Sequence, residues 1–467
     1  MKIIQKLNIK LTKNFTGTQQ IAASFLMVIF IGAGLLSLPV ANRGAIRPFV
    51  DNFFIATSAT CVTGLTPLTV VEQYTVFGQV VILAMIQIGG LGFMTLLSFM
   101  LAKVQRKLAL STRIVLQESL NQKTLNGLGD FVKRILRFTL VVELLGAFAL
   151  SFQFIPEFGL AKGIYYSVFH SISSFCNAGF DLLGSSSLIG YATNYYVNVV
   201  IALLIITGGL GFIVWFELYD SFLKERKRHA KFSLSHYVTH LSVHSKIALS
   251  VTGILLFAGA VLTLIIEYNN PGTLGGHNLM DKMLISGFTS VTLRTAGFAT
   301  IDMASLMPGA KLIFCLFMFI GGSPAGTAGG IKTVTFGLIV LMIVSIYKGH
   351  SDVIVFNRRI KKRQVLRAFS IFIIALTLTI MGMFIVFATE TQPVINLVFE
   401  IFSAFGTVGL SAGVTGGLSE IGKYVIIVLM YVGRIGPITL LISFVKKSNS
   451  VYSENKIRYV DDNVLIG

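Results

Sequence analysis

Eight long apolar runs dominate this chain, at roughly 20–41, 76–101, 128–155, 194–223, 244–268, 309–347, 364–389 and 420–445. A helix needs about 20 consecutive apolar residues to cross a bilayer, and each run is long enough. Of the 467 residues, 54% are apolar and only 12% are Asp, Glu, Lys or Arg, whereas a soluble protein carries about 25% charged residues. So few charges cannot cover so much apolar surface in water, and lipid must solvate much of it. The chain is therefore read as an all-α integral membrane protein with eight transmembrane helices. The sixth run is too long for one simple helix and holds a polar interruption at 321–333.

The net charge of +18 can signal a nucleic-acid partner. Here the basic residues fall in short clusters between apolar runs, so no nucleic acid is expected. Lys2, Lys6, Lys10 and Lys13 precede the first run, and Lys103, Arg106, Lys107 and Arg113 follow the second. Lys224, Arg226, Lys227, Arg228 and Lys231 follow the fourth, Lys348, Arg358, Arg359, Lys361, Lys362 and Arg363 the sixth, and Lys446 and Lys447 the eighth. Positive charge marks the cytoplasmic side, which puts both termini inside and the intervening loops outside. The three cysteines, Cys61, Cys176 and Cys315, lie in or beside apolar runs without disulfide or metal-ligand spacing. No cleavable leader is expected, because the first apolar run is long and lacks a small-residue cleavage site.

Each outside connection holds a shorter stretch that ends in glycine: FFIATSATCVTG (53–64), VFHSISSFCNAG (168–179), SGFTSVTLRTAG (286–297) and VFEIFSAFGTVG (398–409). The closing glycines Gly64, Gly179, Gly297 and Gly409 recur at intervals of 115, 118 and 112 residues, and Ser58, Ser173 and Ser403 share a column. Near-constant spacing marks a duplicated unit. A second motif keeps step with it, QIGGLGF (87–93), ITGGLGF (206–212), FIGGSPAG (319–326) and YVGRIGP (431–437). The unit reads as membrane helix, pore stretch, membrane helix. The repeats divide as 20–101, 128–223, 244–347 and 364–446. They are joined by cytoplasmic segments 102–127, 224–243 and 348–363, with an N-terminus at 1–19 and a tail at 447–467.

A stretch of a dozen residues cannot span a bilayer. Apolar first and small-polar after, it suits a half-helix that dips into the membrane and returns as extended chain, with Asp51 and Asp281 as N-cap candidates. Irregular backbone at that depth is tolerated only where it lines water or is buried in protein. Four such segments on one axis would present rings of carbonyl oxygen that replace an ion's hydration shell. Glycine allows φ > 0, so the carbonyl can turn inward, and the helix C-termini favour a cation. The GGLG motifs read equally well as close helix-packing sites. All four pore stretches follow a first helix from the same side. The repeats are thus parallel, unlike the inverted repeats of secondary transporters, although a sodium-coupled secondary transporter with a midplane cation site stays open as the alternative. With no Ser/His/Asp set, carboxylate pair or metal cluster in the spans, no enzyme is expected.

TSATCVTGL (57–65), NAGF (177–180), RTAGF (294–298) and GTVGL (406–410), together with IQIGGLGFMT (86–95) and YVGRIGP, resemble the membrane subunit of Ktr potassium uptake systems, in the Trk/Ktr/HKT superfamily. The resemblance runs from about residue 20 to the tail. It implies a homodimer in the bacterial plasma membrane, each chain with a pseudo-fourfold pore that takes up K⁺, with Na⁺ often involved. A separate cytoplasmic ring of nucleotide-binding subunits, using ATP, ADP or another nucleotide, would gate it. The implied filter, made mainly of backbone carbonyls, covers Thr60, Cys61, Val62, Thr63 and Gly64; Cys176, Asn177, Ala178 and Gly179; Arg294, Thr295, Ala296 and Gly297; and Gly406, Thr407, Val408 and Gly409. Cys61 and Cys176 share a column, where a small residue can simply pack behind the filter.

By the same resemblance, Gly321, Gly322, Ser323, Pro324, Ala325, Gly326, Thr327, Ala328, Gly329 and Gly330 form an intramembrane gate beneath the filter. The segment is not a phosphate loop, because Ile331 separates Gly330 from Lys332. Arg434 is an isolated charge in an apolar run. It costs about 2.5–3.5 kcal/mol even on the lenient insertion scale and so should meet polar partners. It matches the family's pore-side arginine and is expected to contact the 321–330 loop as an electrostatic barrier. Arg294 and Glu400 are expected to brace the filter backbone, and Asp181 to concentrate cations at its mouth. His170 and His277 read as incidental. The 103–127 segment reads as an amphipathic surface helix or, with 224–236 and 348–363, as a docking surface for the regulatory ring. The tail 453–467 is expected at the dimer interface or near the gate.

Overall fold

The computed structural model describes residues 17–92, 128–227, 234–350 and 352–444. Among the described residues the regular secondary structure is helical apart from one hairpin, Ile354–Val355 against Arg358–Arg359. Its turn residues Phe356 and Asn357 are both left-handed, at φ 49 and 58, as a tight two-residue hairpin turn requires. The helices fall into four sets. The first comprises α1 (Gly17–Leu36), α2 (Phe49–Cys61) and α3 (Val76–Leu91). The second comprises α4 (Leu128–Phe158), α5 (Leu160–Phe175), α6 (Tyr195–Gly209) and α7 (Phe212–Arg226), followed by the short α8 (Leu234–His240). The third comprises α9 (Val243–Glu267), α10 (Leu279–Thr292), α11 (Pro308–Phe319) and α12 (Thr333–Tyr347). The fourth comprises α13 (Lys362–Thr389), α14 (Val394–Gly406), α15 (Glu420–Ile435) and α16 (Pro437–Phe444).

Helices α1, α4, α9 and α13 are each long and apolar enough to cross a membrane. They turn large apolar side chains outward, with Phe30, Phe148, Phe257 and Phe384 exposed by 55, 65, 74 and 71%. The short helices α2, α5, α10 and α14 carry the buried hydroxyls Ser58, Ser173, Thr289 and Ser403 instead. Lipid takes the apolar periphery and the polar groups gather at the centre, as in other polytopic membrane proteins.

Three of the second membrane helices depart from expectation. The runs 76–101, 194–223 and 420–445 read as continuous, yet the described helix of the first stops at Leu91 and the other two are broken. Helix α3 ends at Gly92 (φ 80), α6 gives way to α7 at Gly211 (φ 87) with a bend of 95°, and α15 gives way to α16 at Gly436 (φ 95). A left-handed residue ends a helix, and glycine takes that conformation without a Cβ clash. In the third set the break widens into the loop 320–332 between α11 and α12.

The capping expectation also needs correction. Asp51 and Asp281 lie in the first turns of α2 and α10, not at their caps. Asn278 caps α10, its Oδ1 accepting from Asp281 N at 2.8 Å. Asp51 pairs with Lys423 Nζ at 2.7 Å, a largely buried contact that joins the first set to the fourth. Thr75, Asn194 and Ser419 cap α3, α6 and α15 through their side chains, satisfying N–H groups that helix ends leave unpaired. The 103–127 segment and the 453–467 tail lie outside the described residues.

Candidate ion-conducting site

The four short helices end around one point. Each is followed by a short extended strand whose glycine has positive φ: Gly64 at 99, Gly179 at 68, Gly297 at 80 and Gly409 at 93. The strands close into a ring. A Cβ placed on Gly64 would lie 2.6 Å from Ala178 O, one on Gly179 2.8 Å from Ala296 O, and one on Gly297 2.7 Å from Val408 O. A Cβ on Gly409 would collide with Thr63 O. Each glycine thus backs onto the carbonyl that precedes the next repeat's glycine, in the order one, two, three, four, one. Steric room and left-handed backbone both demand glycine at these positions.

Two residues before each glycine the backbone is left-handed again, at Val62 (φ 57), Asn177 (φ 58), Thr295 (φ 69) and Thr407 (φ 52). None is glycine and three are β-branched, so each stores about 1–3 kcal/mol of strain. Sequence reasoning missed this: Asn takes the left-handed region more readily than most residues, but nothing in Val or Thr announces it. The helices support the strands unequally. Ser58 Oγ accepts from Gly64 N at 3.0 Å and Ser403 Oγ from Gly409 N at 3.1 Å. Ser173 Oγ instead donates to Phe180 O at 2.6 Å, and the third repeat has Val291 in this column.

On one side of the ring all four glycines open onto a single cavity of about 380 Å³, which Asp181 and Asp302 also line. The hydroxyls of Thr63, Thr295 and Thr407 are buried without a protein partner. Convergent carbonyls, four helix C-termini and unpartnered hydroxyls fit a desolvated monovalent cation. Among the described residues no group of three or more His, Cys, Asp or Glu could hold a metal as a resident cofactor.

On the other side lies the 321–330 loop. Thr327 Oγ1 donates to Phe175 O at 3.1 Å, and a Cβ on Gly329 would collide with the Thr407 side chain. The loop is pinned to the breaks of the second and fourth sets: Ser323 N donates to Gly209 O at 2.8 Å, Phe212 N to Ala325 O at 2.9 Å and Gly330 N to Gly433 O at 3.2 Å. Arg434 reaches Thr327 O with Nη1, and Gly89 O and Gly90 O with Nη2. Lys332 Nζ, unassigned by the sequence reading, donates to Ala328 O at 2.5 Å. Three successive loop carbonyls, at 327, 328 and 329, are therefore held by two cations.

The GGLG motifs prove to be close-packing points. A Cβ on Gly89 would strike Thr60 O, one on Gly208 Phe175 O, and one on Gly433 Phe405 O, each the carbonyl four residues before that repeat's ring glycine. In the third repeat, Gly321 meets Gly329 O of the loop instead.

Other expected contacts move. Arg294 does not brace its own strand; Nη2 donates to Gly321 O at 3.1 Å, at the start of the loop. Glu400 does not touch the ring strand either; it accepts from Ser411 Oγ at 2.9 Å and from Thr415 Oγ1, just beyond the ring. His170, read as incidental, accepts from Leu182 N at 3.4 Å behind the second strand. Cys61 and Cys176 are fully buried behind the strands. A charge the sequence reading passed over, Glu143 on α4, is also buried there. It had been lost in a 31-residue helix whose apolar character hid it.

Four re-entrant strands closed around a common axis in a helical membrane bundle define a pore-loop membrane protein. The chain belongs to the TrkH family, described as Cation transport protein, which matches residues 6–456. It is 41% identical over its whole length, and that of the relative, to the potassium/sodium uptake protein NtpJ of Enterococcus hirae. It is also 41% identical to the Ktr system potassium uptake protein B of Bacillus subtilis, with 97% of each chain covered. The crystal structure of the potassium transporter TrkH from Vibrio parahaemolyticus shares the fold, with a TM-score of 0.68 at 19% identity, covering 91% of this chain and 85% of that one.

Proposed function

We propose that this protein takes up K⁺ across the plasma membrane through the four-strand ring, with the cavity bearing Asp181 and Asp302 facing outside and the termini inside. The observation that carries the reading is the closure of the ring, in which every repeat supplies one left-handed glycine and one carbonyl to its neighbour. Full-length relatives named for potassium uptake support K⁺ as the cargo, and the name of one includes sodium. The strands 60–64, 176–179, 294–297 and 406–409 form the filter. The 321–330 loop, with Arg434, is the gate below it, since it lies against the strand bases and its carbonyls are held by cations. We also read the chain as one half of a homodimer regulated by a cytoplasmic nucleotide-binding ring. The repeats run parallel, which favours a channel-like path over a sodium-coupled transporter built on inverted repeats. Growth rescue of a potassium-uptake-deficient cell tests the function: wild type should restore growth on low K⁺, and Gly297→Ser and Gly409→Ser should not. Equal rescue by all three would overturn the filter assignment.

A further inference from the structure

The carboxylate of Glu143 is 7% exposed and sits in a membrane-crossing helix. No Lys or Arg pairs with it among the described residues. An ionisable group in that position is expensive and calls for a function. Its side-chain partners come from two different repeats. Gln87 Nε2, on α3 of the first set, donates to Glu143 Oε2 at 3.2 Å. The thiol of Cys176, at the base of the second filter strand, lies 3.9 Å from Glu143 Oε1 and 3.5 Å from Gln87 Oε1. The helix backbone is fixed at the same level, because Ser171 Oγ donates to Glu143 O at 2.6 Å. A Cβ on Gly146 would lie 2.5 Å from that hydroxyl, so α4 and α5 are in close contact at this depth. Gln87 is itself less than one turn from Gly89 and Gly90, whose carbonyls Arg434 holds, and a Cβ on Gly90 would lie 2.6 Å from Cys176 Sγ.

We propose that Glu143 is a positioning residue that sets K⁺ affinity, and discrimination against Na⁺, by fixing Cys176 and with it the second filter strand. The inference rests on the reading of the ring as a K⁺ filter. Glu143 Oε2 accepts from the Gln87 amide, and the one thiol proton of Cys176 is shared between Glu143 Oε1 and Gln87 Oε1. An amide in place of the Glu143 carboxyl group keeps the acceptor for Gln87 but turns a donor towards Cys176, so the strand behind loses its fixed backing. Among the described residues the other filter strands have no such carboxylate: Glu400 reaches past the ring to Ser411 and Thr415. The second strand therefore has a support of its own.

The test is K⁺ uptake into proteoliposomes holding the full chain, with KM and Vmax measured separately for K⁺ and Na⁺. Glu143→Gln should raise the KM for K⁺ about fivefold, the scale of one hydrogen bond, with Vmax little changed and the K⁺ preference over Na⁺ reduced. Glu143→Asp should recover part of the affinity. Cys176→Ala should raise KM as well, and the double variant should be no worse than the poorer single one, because both act through one contact. Should Glu143 variants not be recovered folded, Gln87→Met tests the same network and should show the same rise in KM. An unchanged KM in folded Glu143→Gln, or effects of the two sites that multiply independently, would overturn the inference. A wild type that carries no K⁺ overturns the function itself, and is thereby distinguished from failure of the Glu143 role.

Discussion

The ring and the layer beneath it are built from the same four repeats, yet one keeps their symmetry and the other breaks it. At the ring each repeat supplies a left-handed residue, a carbonyl and a left-handed glycine, and each glycine touches the next repeat in turn. Below it, among the described residues, α3 ends at a glycine, α6 and α15 each give way to a further helix at a glycine, and the third set inserts a loop between α11 and α12. The position after the motif's first glycine is Gly90, Gly209 and Gly322 in three repeats and Arg434 in the fourth. Wrapping a small ion with oxygen on all sides needs equal contributions from every side. Blocking its path needs a single obstruction, and four copies would only obstruct one another.

That contrast can be broken most forcefully at the ring. A side chain on Gly64, Gly179, Gly297 or Gly409 meets both backbone strain and a neighbouring carbonyl. A serine at any of the four should lower K⁺ uptake by about a hundredfold, from strain of up to about 3 kcal/mol. Four similar losses in flux assays confirm the symmetry; one tolerated position breaks it. The proposed gate should answer in the opposite direction. Arg434→Ala releases the carbonyls of Thr327, Gly89 and Gly90 and should raise Vmax on the order of tenfold, given the worth of charged hydrogen bonds. Unchanged flux and unchanged ion block would remove Arg434 from the gate.

Lys332 offers a smaller and sharper comparison. It precedes α12, where a positive charge opposes the helix dipole, so its placement does not serve that helix. Lys332→Met should raise Vmax about threefold, the scale of a charge at a helix end, and leave the KM for external K⁺ alone. A shift in KM instead would move Lys332 from the gate to the filter. The least effect belongs to the serines. Ser58→Ala and Ser403→Ala each remove one hydrogen bond to a ring glycine, worth about 1 kcal/mol. Each should raise KM a few-fold, whereas Val291→Ser, in the same column of the third repeat, should leave KM near wild type.

Much of this was legible in the chain because it was written four times. The interval between Gly64, Gly179, Gly297 and Gly409 picked out the four glycines that meet in the ring, and the apolar runs at 20–41, 128–155, 244–268 and 364–389 closely anticipated α1, α4, α9 and α13. The interruption at 321–333 was visible, but hydropathy could not show where α3, α6 and α15 end, since a glycine that ends a helix and one that packs within it look alike in a window average. The partners of Arg294 and Glu400 were misjudged because sequence proximity to the ring was taken for contact with it. Both side chains are long enough to reach past it, to Gly321 and to Ser411 and Thr415. Glu143 and Lys332 were passed over because their partners lie on other repeats or in a loop of irregular backbone.

The order of residues alone determined that the chain lives in lipid, that it repeats four times in parallel, and which glycines end the re-entrant stretches. These follow from composition and periodicity, which are properties of the chain read along its length. Only the tertiary structure decided which repeat neighbours which, that the second helices break, and that Arg434 and Lys332 hold consecutive carbonyls of one loop. The ring order and the Arg434 contacts join residues far apart along the chain, Arg434 meeting Thr327 and Gly89 across 107 and 345 positions, and the helix breaks and the Lys332 bonds are local geometry that a window average smooths away, so packing alone sets them.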